Sequence, residues 1–173
     1  MRNTLLLLCV LVVVGVGCAP QKPSVTGRPD EGQAYEAPGF SIPSLDGSGG
    51  SIDLASYEGQ VVLLDFWATW CPPCRVELPA LNKLYEELKD EGFVLIGMTV
   101  DQGSPAQVSE AVSRYQLKYP VGLAGPEAQQ AYGGIRAVPT KFLLDRQGAV
   151  RKHYVGVVQE AQLRSDIEEL LKM

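Results

Sequence analysis

A mixed central β-sheet covered by helices on both sides is the fold class that this 173-residue α/β chain predicts, and three observations carry it. The apolar, β-branched runs VVLLDFW (61–67) and FVLIGMTV (93–100) have the composition of strands buried on both faces. Segments of helical periodicity follow each of them, at 72–89 and 104–115. The chain then closes on two strand-like runs joined by a short turn and a final amphipathic segment, which adds antiparallel strands to a parallel core.

Taken in order, FSIPSL, the glycine-rich Asp46-Gly47-Ser48-Gly49-Gly50 and SIDL predict a β-hairpin over 40–53, an N-terminal extension of the sheet. In the helix at 72–89, Cys74, Leu78, Leu81, Leu84 and Leu88 keep one apolar face, and Pro79 predicts a kink because it removes a main-chain donor. Ser104 caps the next helix with Pro105 at its first position. YPV (119–121) predicts a short strand and 126–132 a short helix, an insertion between the core elements. KFLLD (141–145) and VRKHYVG (150–156) flank Arg146-Gln147-Gly148 as a hairpin, and the last helix at 159–171 buries Leu163, Ile167, Leu170 and Leu171.

The chemistry is concentrated in Trp70-Cys71-Pro72-Pro73-Cys74, between the first long strand and its helix. This placement makes Cys71 the first helical residue and sets Cys74 one turn later on the same side, with Cα atoms roughly 5 Å apart, within reach of a disulfide. A bond closing so small a loop stabilises a fold little, so the pair suits exchange chemistry better than cross-linking. Cys71 at a helix start faces the positive end of the dipole and is the expected nucleophile, and Cys74, a turn inside, is expected to be more buried. Pro72 and Pro73 offer no amide hydrogen to the Cys71 sulfur, which leaves the Cys74 amide as its nearest donor and predicts a reducing couple. Asp65 interrupts an apolar strand six residues before Cys71. Burial there raises a carboxyl pKa and suits an acid that exchanges a proton with the resolving thiol.

The first residues, MRNTLLLLCVLVVVGVGC, combine Arg2, an apolar run and small residues before Cys18, the pattern of a secretory signal. Gly15-Val16-Gly17-Cys18 resembles a bacterial lipobox, with Gly15 in place of the usual leucine. The expected organisation is a signal peptide at 1–17, a lipid-bearing Cys18 with a flexible tether at 18–37, and a domain at 38–173. Loss of 1–17 removes one arginine and no acid, moving the formal net charge from −5 to −6, which speaks against nucleic acid as a partner. Of four cysteines, Cys9 leaves with the signal and Cys18 carries lipid, so Cys71 and Cys74 remain as the free thiols.

VVLLDFWATWCPPCRVELP together with GIRAVPTKFLLDRQGAVRKHYVG resembles the thioredoxin superfamily. The hairpin at 40–53 and the extra residues after Asp101 make the chain similar to the TlpA/ResA-like, membrane-anchored thiol-disulfide oxidoreductases, relatives of the AhpC/TSA and redoxin group. The resemblance spans about 40–171 and implies a thioredoxin-like fold with a cis peptide before Pro139, packed against the sulfurs. It implies an apolar substrate surface made by Trp70, Pro72, Val138 and Thr140, with Val138 offering main-chain hydrogen bonds, and a glycine at Gly156 near it. Trp67 reads as core.

In thioredoxins an aspartate at the place of Asp65 is helped by a lysine on the next strand, and that position here is Gly97. Members of the TlpA/ResA group use a glutamate three residues after the second cysteine, which is Glu77. Glu77 has two readings, a proton carrier or a solvated acid favoured by the helix N-terminus. The implied activity is reduction of protein disulfides by the Cys71/Cys74 dithiol outside the cytoplasm, on the periplasmic side in a Gram-negative cell. It needs a membrane thiol electron donor and has cytochrome c maturation as one setting.

No cofactor or metal is implied. A copper chaperone of the Sco type shares the fold but uses two cysteines separated by three residues plus a histidine, whereas two residues separate these and the one histidine is His153, on an expected exposed strand. A peroxiredoxin-like peroxidase wants Thr or Ser three residues before its cysteine, and Thr69 is two before Cys71. Arg75 after Cys74 excludes a haem-attachment motif.

Overall fold

The computed structural model describes residues 34–47 and 49–173. The signal peptide, Cys9, Cys18 and most of the expected tether lie outside them. Among the described residues eight strands form in chain order: β1 (Tyr35–Glu36), β2 (Ser41–Pro43), β3 (Ser51–Asp53), β4 (Val61–Trp67), β5 (Phe93–Thr99), β6 (Val121–Leu123), β7 (Thr140–Leu144) and β8 (Ala149–Val155). The helices are α1 (Pro72–Leu88), α2 (Pro105–Arg114), α3 (Pro126–Ala131) and α4 (Glu160–Leu171). Six strands make one mixed sheet in the order β1-β8-β7-β4-β5-β6, and β2 and β3 pair separately as the expected hairpin. β4 runs parallel to β5, β5 parallel to β6, and β4 antiparallel to β7. This is the mixed sheet the sequence predicts. Two details differ: Tyr35 and Glu36, at the end of the expected tether, pair with Val150 and Ala149 as an edge strand, and the short strand forms at 121–123 rather than 119–121.

Every residue of β4 and β5 is buried, because the sheet is covered on both faces. The period-two alternation of strands then sorts the side chains. Val61, Leu63 and Trp67 of β4 join Leu143 of β7 and the apolar stripes of α1, α2 and α4. Val62, Leu64 and Phe66 join Phe142, α3 and the hairpin residues Ile42 and Ile52. The hairpin docks by placing Ile42 where a side chain at Gly122 would stand, since a Cβ there would come within 2.7 Å of the Ile42 side chain. Of the four residues expected to bury the face of α4, Leu171 is only partly covered, while the charged Asp166 is buried and accepts from Tyr154 Oη at 2.7 Å, Gln162 Nε2 at 2.9 Å and Lys152 Nζ at 3.2 Å. The β7–β8 turn is tied by Asp145 Oδ1, which accepts from the Gln147 and Ala149 amides, with Gly148 at φ 78°. His153 is exposed and stacks on Phe142, ring centroids 4.4 Å apart.

Candidate active site

The centre of the site is the junction of β4 and α1, where Cys71 and Cys74 are joined as a disulfide with Cα atoms 5.4 Å apart. Cys71 is the N-cap of α1 rather than its first residue, because its φ and ψ of −90° and 105° are extended and Pro72 opens the helix. An extended residue before proline avoids the clash that a helical one would meet. The Cys71 sulfur accepts from the Cys74 amide at 3.2 Å, the donor left by the two prolines. The expected difference in burial is not found: Cys71 is 3% and Cys74 2% exposed, because loop 137–139 covers the first cysteine while α1 covers the second. Pro79 lies within α1, which continues to Leu88.

A second element completes the upper wall. The Val138–Pro139 peptide is cis, as the resemblance implies, and Val138 O lies 3.6 Å from Cys71 Sγ. Pro139 is buried, and its carbonyl accepts from the Gly156 amide at 2.8 Å, which ties the loop to the end of β8. Gly156 has φ 92°, a conformation that favours glycine. Trp70 is 63% exposed and Pro72 is exposed, so both stand on the surface beside the sulfurs, with Val138 half-buried between. Thr140 departs from the expected surface: it is buried, and its hydroxyl donates to Ala137 O at 2.8 Å, so it shapes the loop instead of facing outward. Val155 and Val157, exposed on either side of Gly156, extend the apolar rim.

The loop leading into Cys71 is held by Asp101, which sequence reasoning did not single out. Asp101 Oδ2 accepts from the Thr69 amide at 2.9 Å and from the buried Thr99 hydroxyl, and its Oδ1 accepts from the Thr69 hydroxyl at 2.6 Å. Trp67 is fully buried, as expected of a core residue.

Beneath the disulfide the two expected acids come together around a third residue. Asp65 is 1% and Glu77 7% exposed, so Glu77 is not the solvated acid of its alternative reading. Between them lies the fully buried Lys141 of β7, its Nζ 3.0 Å from Glu77 Oε2 and 3.1 Å from Asp65 Oδ1. The first contact is a hydrogen bond; the second is an ion pair without hydrogen-bond alignment. Glu77 Oε1 accepts from the Val158 amide at 3.1 Å. Burial pushes the Glu77 carboxyl above its ordinary value, against the opposing pull of Lys141 and the Val158 amide. Burial also works against the Lys141 ammonium, but Asp65 and Glu77 outweigh it and hold its pKa above the usual lysine value.

Gly97, across from Asp65 on β5, holds the place of the lysine of thioredoxins, and a side chain there would be tightly crowded. A Cβ there would stand 3.1 Å from the Tyr119 ring and 3.2 Å from Trp67 Nε1. The cation instead arrives from the opposite flank, where Lys141 is in register with Asp65. Lys141 was missed by sequence reasoning. The signal for it is a lysine inside an apolar strand, at a position that alternation aims at the same face as Leu143. Among the described residues no group of three His, Cys, Asp or Glu side chains is placed to hold a metal ion.

A vicinal dithiol at a helix start, a cis proline against its first sulfur and a buried acid below define a thioredoxin-like thiol-disulfide exchange site. Comparison with known proteins agrees. Residues 31–171 match the Redoxin family model, and the chain belongs to that family. It is 38% identical over 138 residues to thiol-disulfide oxidoreductase ResA of Bacillus thuringiensis, covering 79% of this chain and 75% of that one. It is 34% identical over 139 residues to thioredoxin-like protein YneN of Bacillus subtilis, covering 80% and 79%. Among solved structures, a thioredoxin-family thiol:disulfide interchange protein of Chlorobium tepidum superposes with a TM-score of 0.74 at 31% identity, over 82% of this chain and 99% of that one. A secreted thiol-disulfide isomerase of Corynebacterium glutamicum superposes with a TM-score of 0.76 at 27% identity, over 90% and 99%. The protein is a thiol-disulfide oxidoreductase of the ResA and DsbE type, with Cys71 and Cys74 as its redox pair.

Asp101→Asn leaves one of the Thr69 and Thr99 donors facing an amide hydrogen. It is expected to cost about 1–3 kcal/mol of stability, read as a lower urea midpoint with an unchanged m-value.

Proposed function

We propose that the protein is an extracytoplasmic, membrane-anchored reductase of protein disulfides. The observation that carries the reductive direction is the Cys71 sulfur with a single main-chain donor, the Cys74 amide at 3.2 Å. Few donors mean modest stabilisation of the thiolate, and a less stabilised reduced form makes a stronger reductant. In the forward reaction the Cys71 thiolate attacks one sulfur of a substrate disulfide, and the other substrate sulfur leaves with the electron pair and takes a proton. Cys74 gives its proton to the acidic cluster beneath it and attacks Cys71 Sγ. The Cys71–Cys74 bond forms, the bond from Cys71 to the substrate breaks, and the second substrate sulfur leaves as a thiol. The dithiol has then lost two electrons and the substrate disulfide has gained them.

An extended substrate segment fits across Trp70, Pro72 and Val138, the last presenting its main chain beside the cis proline. Thr140 acts behind this surface by bracing the loop. The resemblance to the TlpA/ResA group points to the haem-attachment cysteines of apocytochrome c as one class of substrate. Re-reduction outside the cytoplasm requires a membrane thiol donor.

Export and anchoring are supported by the leader at 1–17 and the lipobox-like Gly15-Val16-Gly17-Cys18, and by the secreted relative from Corynebacterium glutamicum. No helix among the described residues is long and apolar enough to cross a membrane.

In insulin reduction with dithiothreitol the wild type is expected to accelerate precipitation. Cys71→Ser abolishes this, and Cys74→Ser accumulates mixed disulfides with its substrates; an inactive wild type defeats the reading. Redox titration of the pair against glutathione or dithiothreitol buffers is expected to give a potential toward the thioredoxin end of the scale, about −270 mV, and a value near that of DsbA, about −120 mV, reverses the assigned direction. Expressed in a bacterial host, the wild type is expected to take up labelled palmitate and sediment with membranes, and Cys18→Ser to lose the label and become soluble.

A further inference from the structure

Building on the disulfide-reductase reading, we propose that Lys141 is a positioning residue of the redox site: it pairs with Asp65 inside the sheet and leaves Glu77 to take up and release the Cys74 proton. Three observations carry this. Lys141 is wholly buried between two carboxylates at 3.0 and 3.1 Å, so a single ammonium faces two acids. The two acids differ in access. Asp65 is sealed in the centre of the sheet, whereas Glu77 lies at the edge of the cluster, 7% exposed, three residues along α1 from Cys74 and tethered to the Val158 amide of the β8–α4 loop. Glu77 is thus the member of the cluster nearest to solvent and to Cys74 along the chain. Finally, the other flank offers no cation: Gly97 stands there, with the Tyr119 ring and Trp67 Nε1 within 3.1–3.2 Å of where a Cβ would be.

The remaining titratable groups facing the cluster do not supply a cation. Tyr119 is buried beside both acids, and burial with their two charges raises its phenol well above the ordinary value, so it stays neutral. Tyr154, opposite Lys141 on β8, is engaged by Asp166. Cys74 on α1 is the proton donor. Removing the lysine charge therefore leaves two carboxylates buried together, and like charges so placed force one of them to hold a proton at neutral pH. A protonated Glu77 cannot accept from Cys74, so resolution slows until the pH exceeds the raised value.

The test uses the full-length protein and a thionitrobenzoate adduct on Cys71, whose release by Cys74 is followed by stopped flow across pH. Wild-type release establishes the exchange reaction itself, so failure of the reductase reading shows there and in the insulin assay, apart from any effect at Lys141. Lys141→Met is expected to slow release about tenfold or more at neutral pH and to move the pH midpoint upward by about one unit or more. Asp65→Asn combined with Lys141→Met removes both members of the fixed pair and is expected to return the midpoint to that of the wild type. Glu77→Gln is expected to abolish the pH step. A natively folded Lys141→Met with a wild-type profile overturns the proposal, as does a double variant that keeps the upward shift or a Glu77→Gln that keeps the step. Should Lys141→Met alone fail to fold, the double variant and Glu77→Gln carry the decision.

Discussion

The interaction on which the site depends is the burial of one ammonium between two carboxylates under the start of α1. Taking three charges out of water is costly, and their attraction offsets that cost only when the geometry is close and the remaining valences are filled. Here Lys141 meets both acids at about 3 Å, and Glu77 spends its other oxygen on the Val158 amide. The cluster joins the centre of the sheet through Asp65, the neighbouring strand through Lys141, the redox helix through Glu77 and the β8–α4 loop through Val158. An apolar core of the same volume would pack these elements as well. It would not place an ionisable carboxyl one helical turn from Cys74.

Around this base, the reactive sulfurs are positioned by segments remote in sequence. Asp101 fixes Thr69 and so the approach to Cys71. The cis peptide at Pro139 presents the Val138 carbonyl to Cys71, and Gly156 ties that loop to β8. Asp101 and Pro139 stand at the ends of β5 and β7, the strands that flank β4, and Gly156 at the end of β8 beyond them; β4 itself carries Asp65 inside the sheet and Cys71 just beyond it. The exposed Trp70, Val155 and Val157 are thereby left around a disulfide that is itself almost covered.

Much of this was legible beforehand because the patterns are local. Strand β4 spans the residues its apolar run predicts, and Ser104 caps α2 through the Ala106 amide. The Cys74 amide reaches the Cys71 sulfur because only proline nitrogens precede it. Reading stopped where a contact depends on register. The lysine counterpart was sought at Gly97, on the parallel neighbour of β4, but the cation stands on the antiparallel neighbour, and pairing of β7 with β4 is not written in either segment alone. Thr140 read as surface because it follows the cis proline, yet alternation along β7 turns it inward.

The sequence by itself determined the elements, the dithiol at the helix start and the two acids near it, since each follows from spacing along one segment. The tertiary structure alone decided how the charge of those acids is balanced. Asp65 and Glu77 lie on consecutive elements, but Lys141 comes from β7, 64 residues beyond Glu77, and Coulomb attraction acts on distance in space rather than along the sequence. Only the packed sheet, with Gly97 tightly packed against Tyr119 and Trp67 and Lys141 in register with Asp65, fixes which residue supplies the cation.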